Sequence, residues 1–139
     1  MKSVTILIWM LLIFVLTCTA SFSELLAYGE VQFHWESHPD LADLFTPMPE
    51  QVSNGFVKQK IGHSFAFFVF ALLLQRKKQS KILIFVVATT YAMFTEILQL
   101  FFTRDGRLFD IGFDLAGIIM ALSMQYLAPK SRQFDIRGQ

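Results

Sequence analysis

Apolar residues in this chain fall into four blocks instead of recurring at a steady interval. Met1–Phe22 carries one formal charge, Lys2; Ile61–Leu74 carries none; Ile82–Phe102 carries only Glu96; and Ile111–Ala128 carries only Asp114. A membrane-spanning helix needs about 20 mostly apolar residues, each adding about 1.5 Å of rise. The first and third blocks meet that length outright. The second meets it with its flanks from Phe56 to Gln75, and the fourth with interfacial flanks. The pattern therefore predicts an all-α integral membrane protein with four transmembrane helices, the first running from about Val4 to Phe22.

Between the first two blocks the pattern changes. Ser37-His38-Pro39-Asp40 reads as a helix start, with Ser37 as N-cap, Pro39 near the first turn and Asp40 at the favourable end of the dipole. Leu41, Leu44 and Phe45 follow at helical spacing, which predicts a short amphipathic helix on the membrane surface. Pro47, Pro49 and Asn54-Gly55 then interrupt it.

Composition agrees: 54% of residues are apolar and sixteen are Phe, in blocks that leave no room for a separate soluble domain. The net charge of +1 hides an asymmetry that sets orientation. Lys2, the link with Arg76, Lys77, Lys78 and Lys81, and the tail with Lys130, Arg132 and Arg137 contain one acid, Asp135. The remaining links carry eight acids against Lys58, Lys60, Arg104 and Arg107. The positive-inside rule puts both termini and the basic link in the cytoplasm. The expected divisions are a first transmembrane helix over 1–22, an extracytoplasmic loop over 23–57, a three-helix core over 58–128 and a cytoplasmic tail over 129–139. Topology accounts for the basic link, so no nucleic-acid partner is expected. Cys18 has no disulfide partner and reads as a packing or lipid-facing thiol. Cys18-Thr19-Ala20 resembles a weak cleavage site, the alternative being a removed signal segment. His34 and His38 lack a convincing third ligand, so neither metal nor cofactor is expected there or elsewhere.

The chemistry-bearing residues gather at one end of the blocks. On the fourth helix Asp110, Asp114, Gly117 and Ala121 fall in one stripe at about 100° per residue, acidic at one end and small below. On the third helix Thr89, Ala92, Glu96 and Gln99 share a face, and on the second Lys60 and His63 are neighbours one turn in. Small residues let helices approach, and polar side chains on the same stripes then bond across the gap. Ionisable groups inside a membrane are costly, so Glu96 should be protonated or paired with Arg104, Lys60 or His63.

From the second block onward the chain resembles the VanZ-like family of small bacterial membrane proteins. That family shows Asp-Lys-x-x-His, then Glu-x-x-Gln, then an Arg before Asp-x-x-x-Asn-x-x-Gly. The counterparts are Gln59-Lys60-Ile61-Gly62-His63, Glu96-Ile97-Leu98-Gln99, Arg104, and Asp110 through Asp114 to Gly117, in order and correctly spaced over about 60 residues. Gln59 replaces the family's Asp and Asp114 its Asn. The resemblance marks 58–128 as the VanZ-like core and implies a multi-pass protein of the bacterial cytoplasmic membrane. It also implies a cell-envelope role, the founding member being associated with lowered susceptibility to the glycopeptide antibiotic teicoplanin.

Three readings of the constellation stand side by side. In the first, Lys60, His63, Glu96, Gln99, Arg104, Asp110 and Asp114 line an outward-facing pocket for an anionic envelope lipid or a lipid-linked cell-wall intermediate. Arg104 and Lys60 would hold the anion, since a guanidinium grips phosphate or carboxylate in bidentate fashion. In the second, His63 or Glu96 is the general base of a membrane-embedded hydrolase or transferase, although no nucleophile is fixed by the sequence. In the third the network only joins helices. Then Lys60 snorkels, Asp110 caps the fourth helix, Gln99 bonds between helices and Arg104 forms a salt bridge to Asp110 or Glu96.

Overall fold

A computed structural model describes residues 2–49, 51–77, 80–104 and 106–127; the expected tail over 129–139 and Lys78 of the basic link lie outside them. The described residues are all helix and connection, with no strand. Helix α1 spans Lys2–Cys18, α2 Phe22–Tyr28, a 3-10 helix Leu41–Phe45, α3 Asn54–Gln75, α4 Lys81–Phe101 and α5 Asp110–Leu127.

Serine hydroxyls start the two longest helices. Ser53 accepts the Phe56 N–H at 3.1 Å and Ser80 accepts the Leu83 N–H at 3.2 Å, each satisfying a donor that has no partner within its helix. Helix α4 ends where Thr103 turns left-handed at φ 53° and the Arg104 N–H closes back on Gln99 O at 2.8 Å. A β-branched residue there is strained. The strain sits at the start of the turn that carries both arginines.

Two elements differ from the sequence expectation. The first helix stops at Cys18, four residues short of Phe22. Gln32 draws the chain aside there, accepting the Ala20 N–H at 2.7 Å while its own N–H donates to Thr19 Oγ1 at 3.3 Å. Ser21 then caps the unexpected α2 by accepting from Glu24 N–H, and Gly29 at φ 72° closes it. The second difference is the surface helix, which shrinks to the 3-10 helix. Asp40, not Ser37, is its cap, accepting the Ala42 N–H at 2.9 Å, while the Glu36 carboxylate takes the His38 N–H.

The bundle is built on α3 and α5, which share the most extensive interface. A Cβ added at Gly117 would run into the backbone of Ser64 and Phe68, so the two helices meet main chain to main chain. Phe67, Phe70, Ile84, Ala88, Ile118 and Ala121 form the dry centre. Helix α1 docks by two side-chain bonds, Trp9 Nε1 to Ala66 O at 3.0 Å and Tyr91 Oη to Met10 O at 2.7 Å. Cys18 is fully buried, the packing thiol of the sequence reading. Large apolar side chains cover the outside: Leu7, Leu11, Ile61, Phe65, Ile82 and Met120 are each more than half exposed. Charge inside and hydrocarbon outside reverses the arrangement of a protein surrounded by water. Helices α3 and α4 are long and apolar enough to cross a membrane, and α1 is a shorter apolar helix.

The antiparallel run of α3, α4 and α5 brings the start of α3, the end of α4 and the start of α5 to one end, below called the polar end. The long loop is tied down over it, with Glu36 N–H on Phe101 O at 2.8 Å and Leu108 N–H on Leu44 O at 2.9 Å. Phe14, Phe33, Trp35, Phe101 and Phe102 pack ring against ring, through stacked, edge-on and tilted contacts.

Candidate functional site

Helical periodicity delivers six of the seven expected site residues to one buried cluster. Lys60, His63, Glu96, Gln99, Asp110 and Asp114 are all at most 7% exposed. The α5 stripe lies wholly inside, with Gly117 and Ala121 continuing it beneath the two aspartates. Close approach at Gly117 seats the stripe against α3, opposite Lys60 and His63.

The cluster has two storeys. In the upper one Lys60 Nζ is ion-paired with Asp110 Oδ2. The ammonium also lies 4.9 Å from the Phe56 ring centroid and 5.5 Å from that of Phe109, so aromatic faces replace the water it has lost. One turn deeper, His63 Nδ1 is 3.6 Å from Asp114 Oδ1 and 3.8 Å from Glu96 Oε1. Glu96 is held on its other side: Gln99 Nε2 donates to Oε1 at 3.1 Å and the Arg107 N–H donates to Oε2 at 2.9 Å. Glu96 is therefore anchored, whereas His63 Nδ1 and both Asp114 oxygens have no hydrogen-bond partner among the described residues.

Several expected roles change. Lys60 does not snorkel, being enclosed by Asp110 and two rings. Asp110 is the first residue of α5 and its carboxylate serves the ion pair, not a cap. Gln99 bonds within its own helix and braces Glu96 from one turn away, since the Arg107 N–H already occupies the carboxylate's far side. Arg104 is the residue left outside the cluster. Its Nη1 donates to Ala20 O at 2.9 Å, and among the described residues no carboxylate lies within ion-pair distance of it. The carbonyl is available because α1 has already ended.

Above the upper storey lies a cavity of about 350 Å³. Lys60, Arg104 and Arg107 enter its lining with Ser53, Gln59 and Thr103, and among the described residues that lining contains no carboxylate. A second cavity, about 290 Å³ and almost wholly apolar, opens between α1 and α3 along Ile13, Leu16, Phe65 and Ala66. Gln59 lines both cavities, and His63 reaches the second.

Comparison with known proteins gives a close match. The uncharacterized membrane protein YwnJ of Bacillus subtilis (strain 168) is 37% identical over 129 residues, covering 90% of each chain. The chain belongs to the YwnJ family. It is accordingly a membrane protein, in keeping with its apolar exterior. No family model matches the chain, and no solved structure matches it.

Sequence reasoning passed over the supports of the site in this YwnJ relative. A Cβ at Gly106 would strike Glu96 O, so only glycine lets the 103–109 turn lie on α4 and offer the Arg107 N–H to Glu96. The one available signal was a glycine between charged residues in a short turn. Phe56 four residues before Lys60 was a readable cation–π pairing on one helix face. Gly106→Ala should therefore lower the unfolding free energy of detergent-solubilised protein by about 1–3 kcal/mol through overpacking, measured by denaturant titration. An unchanged midpoint would mean that the turn accommodates the methyl group.

Proposed function

We propose that this YwnJ relative is a VanZ-like protein of the bacterial cytoplasmic membrane that binds the anionic head of an envelope lipid or lipid-linked cell-wall intermediate. The observation that carries the reading is the cavity at the polar end, whose lining brings Lys60, Arg104 and Arg107 together. A phosphate or carboxylate there would accept charge-assisted hydrogen bonds from Arg104 and Arg107. Lys60 stands at the floor, already neutralised by Asp110, and contributes shape more than net charge.

The neighbouring apolar cavity favours a lipid over a soluble anion. Gln59 lies at the junction, so a head in the cationic cavity and a chain between α1 and α3 could be held by one molecule. In the membrane, α1, α3, α4 and α5 act as four spans. The basic residues Arg76, Lys77 and Lys81 stand at the opposite end of α3 and α4 from the cavity, so the positive-inside rule turns the cavity outward and both termini inward. Through the VanZ resemblance, an effect on glycopeptide susceptibility belongs to the same reading.

Native mass spectrometry of gently extracted protein tests it. Wild-type protein should carry a co-purifying anionic lipid, and Arg104→Gln with Arg107→Gln should lose at least about tenfold of it, the equivalent of one charged hydrogen bond of about 1.4 kcal/mol or more. Equal lipid on both proteins would remove the cavity from consideration.

A further inference from the structure

We propose that His63, Glu96 and Asp114 form a binding site for one divalent transition-metal ion, with zinc and manganese as the matching ions. The site is separate from the cationic cavity and stands whether or not that cavity takes a lipid.

Geometry comes first. One donor atom from each residue, and so one from each of α3, α4 and α5, lies within 4.8 Å of the other two. Zinc bonds of about 2.0–2.2 Å at tetrahedral angles place neighbouring donors about 3.4 Å apart. His63 Nδ1 stands 3.6 Å from Asp114 Oδ1 and 3.8 Å from Glu96 Oε1, within a few tenths of an ångström of that spacing. The Glu96 and Asp114 donors lie within 4.8 Å of each other and close by up to about 1.4 Å to share one ion.

The hydrogen-bond inventory points the same way. Asp114 is 0% exposed and His63 7%, yet His63 Nδ1 and both Asp114 oxygens accept or donate no hydrogen bond among the described residues. Buried polar atoms are ordinarily satisfied, because leaving them unpaired costs kilocalories each. Here His63 Nδ1 and Asp114 Oδ1 face each other at 3.6 Å, in ion-pair range but beyond a normal hydrogen bond, and a cation between them would satisfy both and the second Asp114 oxygen together. Glu96 already has what a metal ligand's outer partners provide. Gln99 Nε2 and the Arg107 N–H fix its orientation and leave Oε1 with acceptor capacity toward His63.

Charge and donor type narrow the ion. Three carboxylates, Glu96, Asp110 and Asp114, are at most 1% exposed, and one ammonium, Lys60, is buried with them. Ionised carboxylates would leave an excess of two negative charges, which one dication and a neutral imidazole cancel. Imidazole suits zinc, iron, copper and nickel, while carboxylates suit magnesium, calcium and manganese. A mixed set of one imidazole and two carboxylates falls between these groups. The sequence predicts no metal because His34 and His38 lack a convincing third ligand. His63, Glu96 and Asp114 stand on separate helices, and helix packing alone joins them.

The test starts from protein lacking the exposed His34 and His38, each replaced by Gln, and purified in detergent without a polyhistidine tag or chelator. Mass spectrometry of total metal should find stoichiometric zinc or manganese. After chelator stripping, calorimetry with zinc chloride and manganese chloride should show one saturable site. Removing an outer-shell partner alone costs about 10–100-fold in affinity, so Asp114→Asn and Glu96→Gln should each weaken binding by at least about 100-fold. Arg104→Gln should leave it unchanged, which separates failure here from failure of the lipid reading. Stripped parent protein with no saturable binding of either ion overturns the proposal without recourse to any ligand-site variant. Parent-like affinity in Asp114→Asn also overturns it.

Discussion

Lys60→Met should destabilise the protein by about 3–5 kcal/mol, the usual cost of removing one partner from a buried ion pair. The Lys60–Asp110 pair has almost no water: the side chains are 6% and 1% exposed, and the ammonium is flanked by Phe56 and Phe109. Deleting the cation leaves Asp110 charged and enclosed, with one oxygen already lacking a partner. Replacing both members by apolar residues removes the stranded charge along with the attraction, so Lys60→Met with Asp110→Leu should recover most of the loss. Denaturant titration of the detergent-solubilised single and double variants measures the coupling. A double variant no more stable than Lys60→Met would mean that Asp110 is bound chiefly to something other than Lys60.

Gly117→Val should be comparably damaging for a different reason. Its Cβ would overlap Ser64 O and crowd Phe68 N on the facing helix, and both are main-chain atoms that cannot rotate aside. Helices α3 and α5 would have to separate, at a cost of about 1–3 kcal/mol for overpacking and more if the backbone cannot adjust. Separation would also draw Asp114 away from His63. Gly112→Ala on the same helix is the control, because nothing lies within 4 Å of its added Cβ. It should gain up to about 0.5–1 kcal/mol from helix propensity. Similar midpoints for the two variants would show that the α3–α5 crossing is looser than its geometry.

The helical regions and the polar faces were legible because both depend on local periodicity. Stripes at four-three-four spacing on α5 and the Lys60–His63 step on α3 needed only helical geometry to be placed together. Partner choice was less legible. Lys60 selected Asp110 and left Glu96 to Gln99 and the Arg107 N–H, because the fold of the 103–109 turn decided who was near. That fold depends on Gly106 meeting α4 and on a left-handed Thr103, a tertiary outcome with little trace in the residues themselves. The early end of α1 was missed for a related reason. Thr17-Cys18-Thr19-Ala20 is apolar enough to continue a helix, and only the return of the chain at Gln32 stops it. Ser21 with Glu24 and Gly29 did mark α2, but Ser21 falls inside the expected first helix and Glu24 and Gly29 in the expected extracytoplasmic loop, so the marks straddle an expected boundary.

Among the described residues, two backbone bonds fasten the long loop on either side of the arginine-bearing turn, one at Phe101 and the other at Leu108. They make a short circuit of main chain, running from Glu36 to Leu44, across to Leu108, back through the turn to Phe101 and home to Glu36. Within such a ring no segment shifts by itself. A displacement of the loop would therefore also pull on the rim around Arg104, and the anion proposed to bind there would stiffen the loop in return.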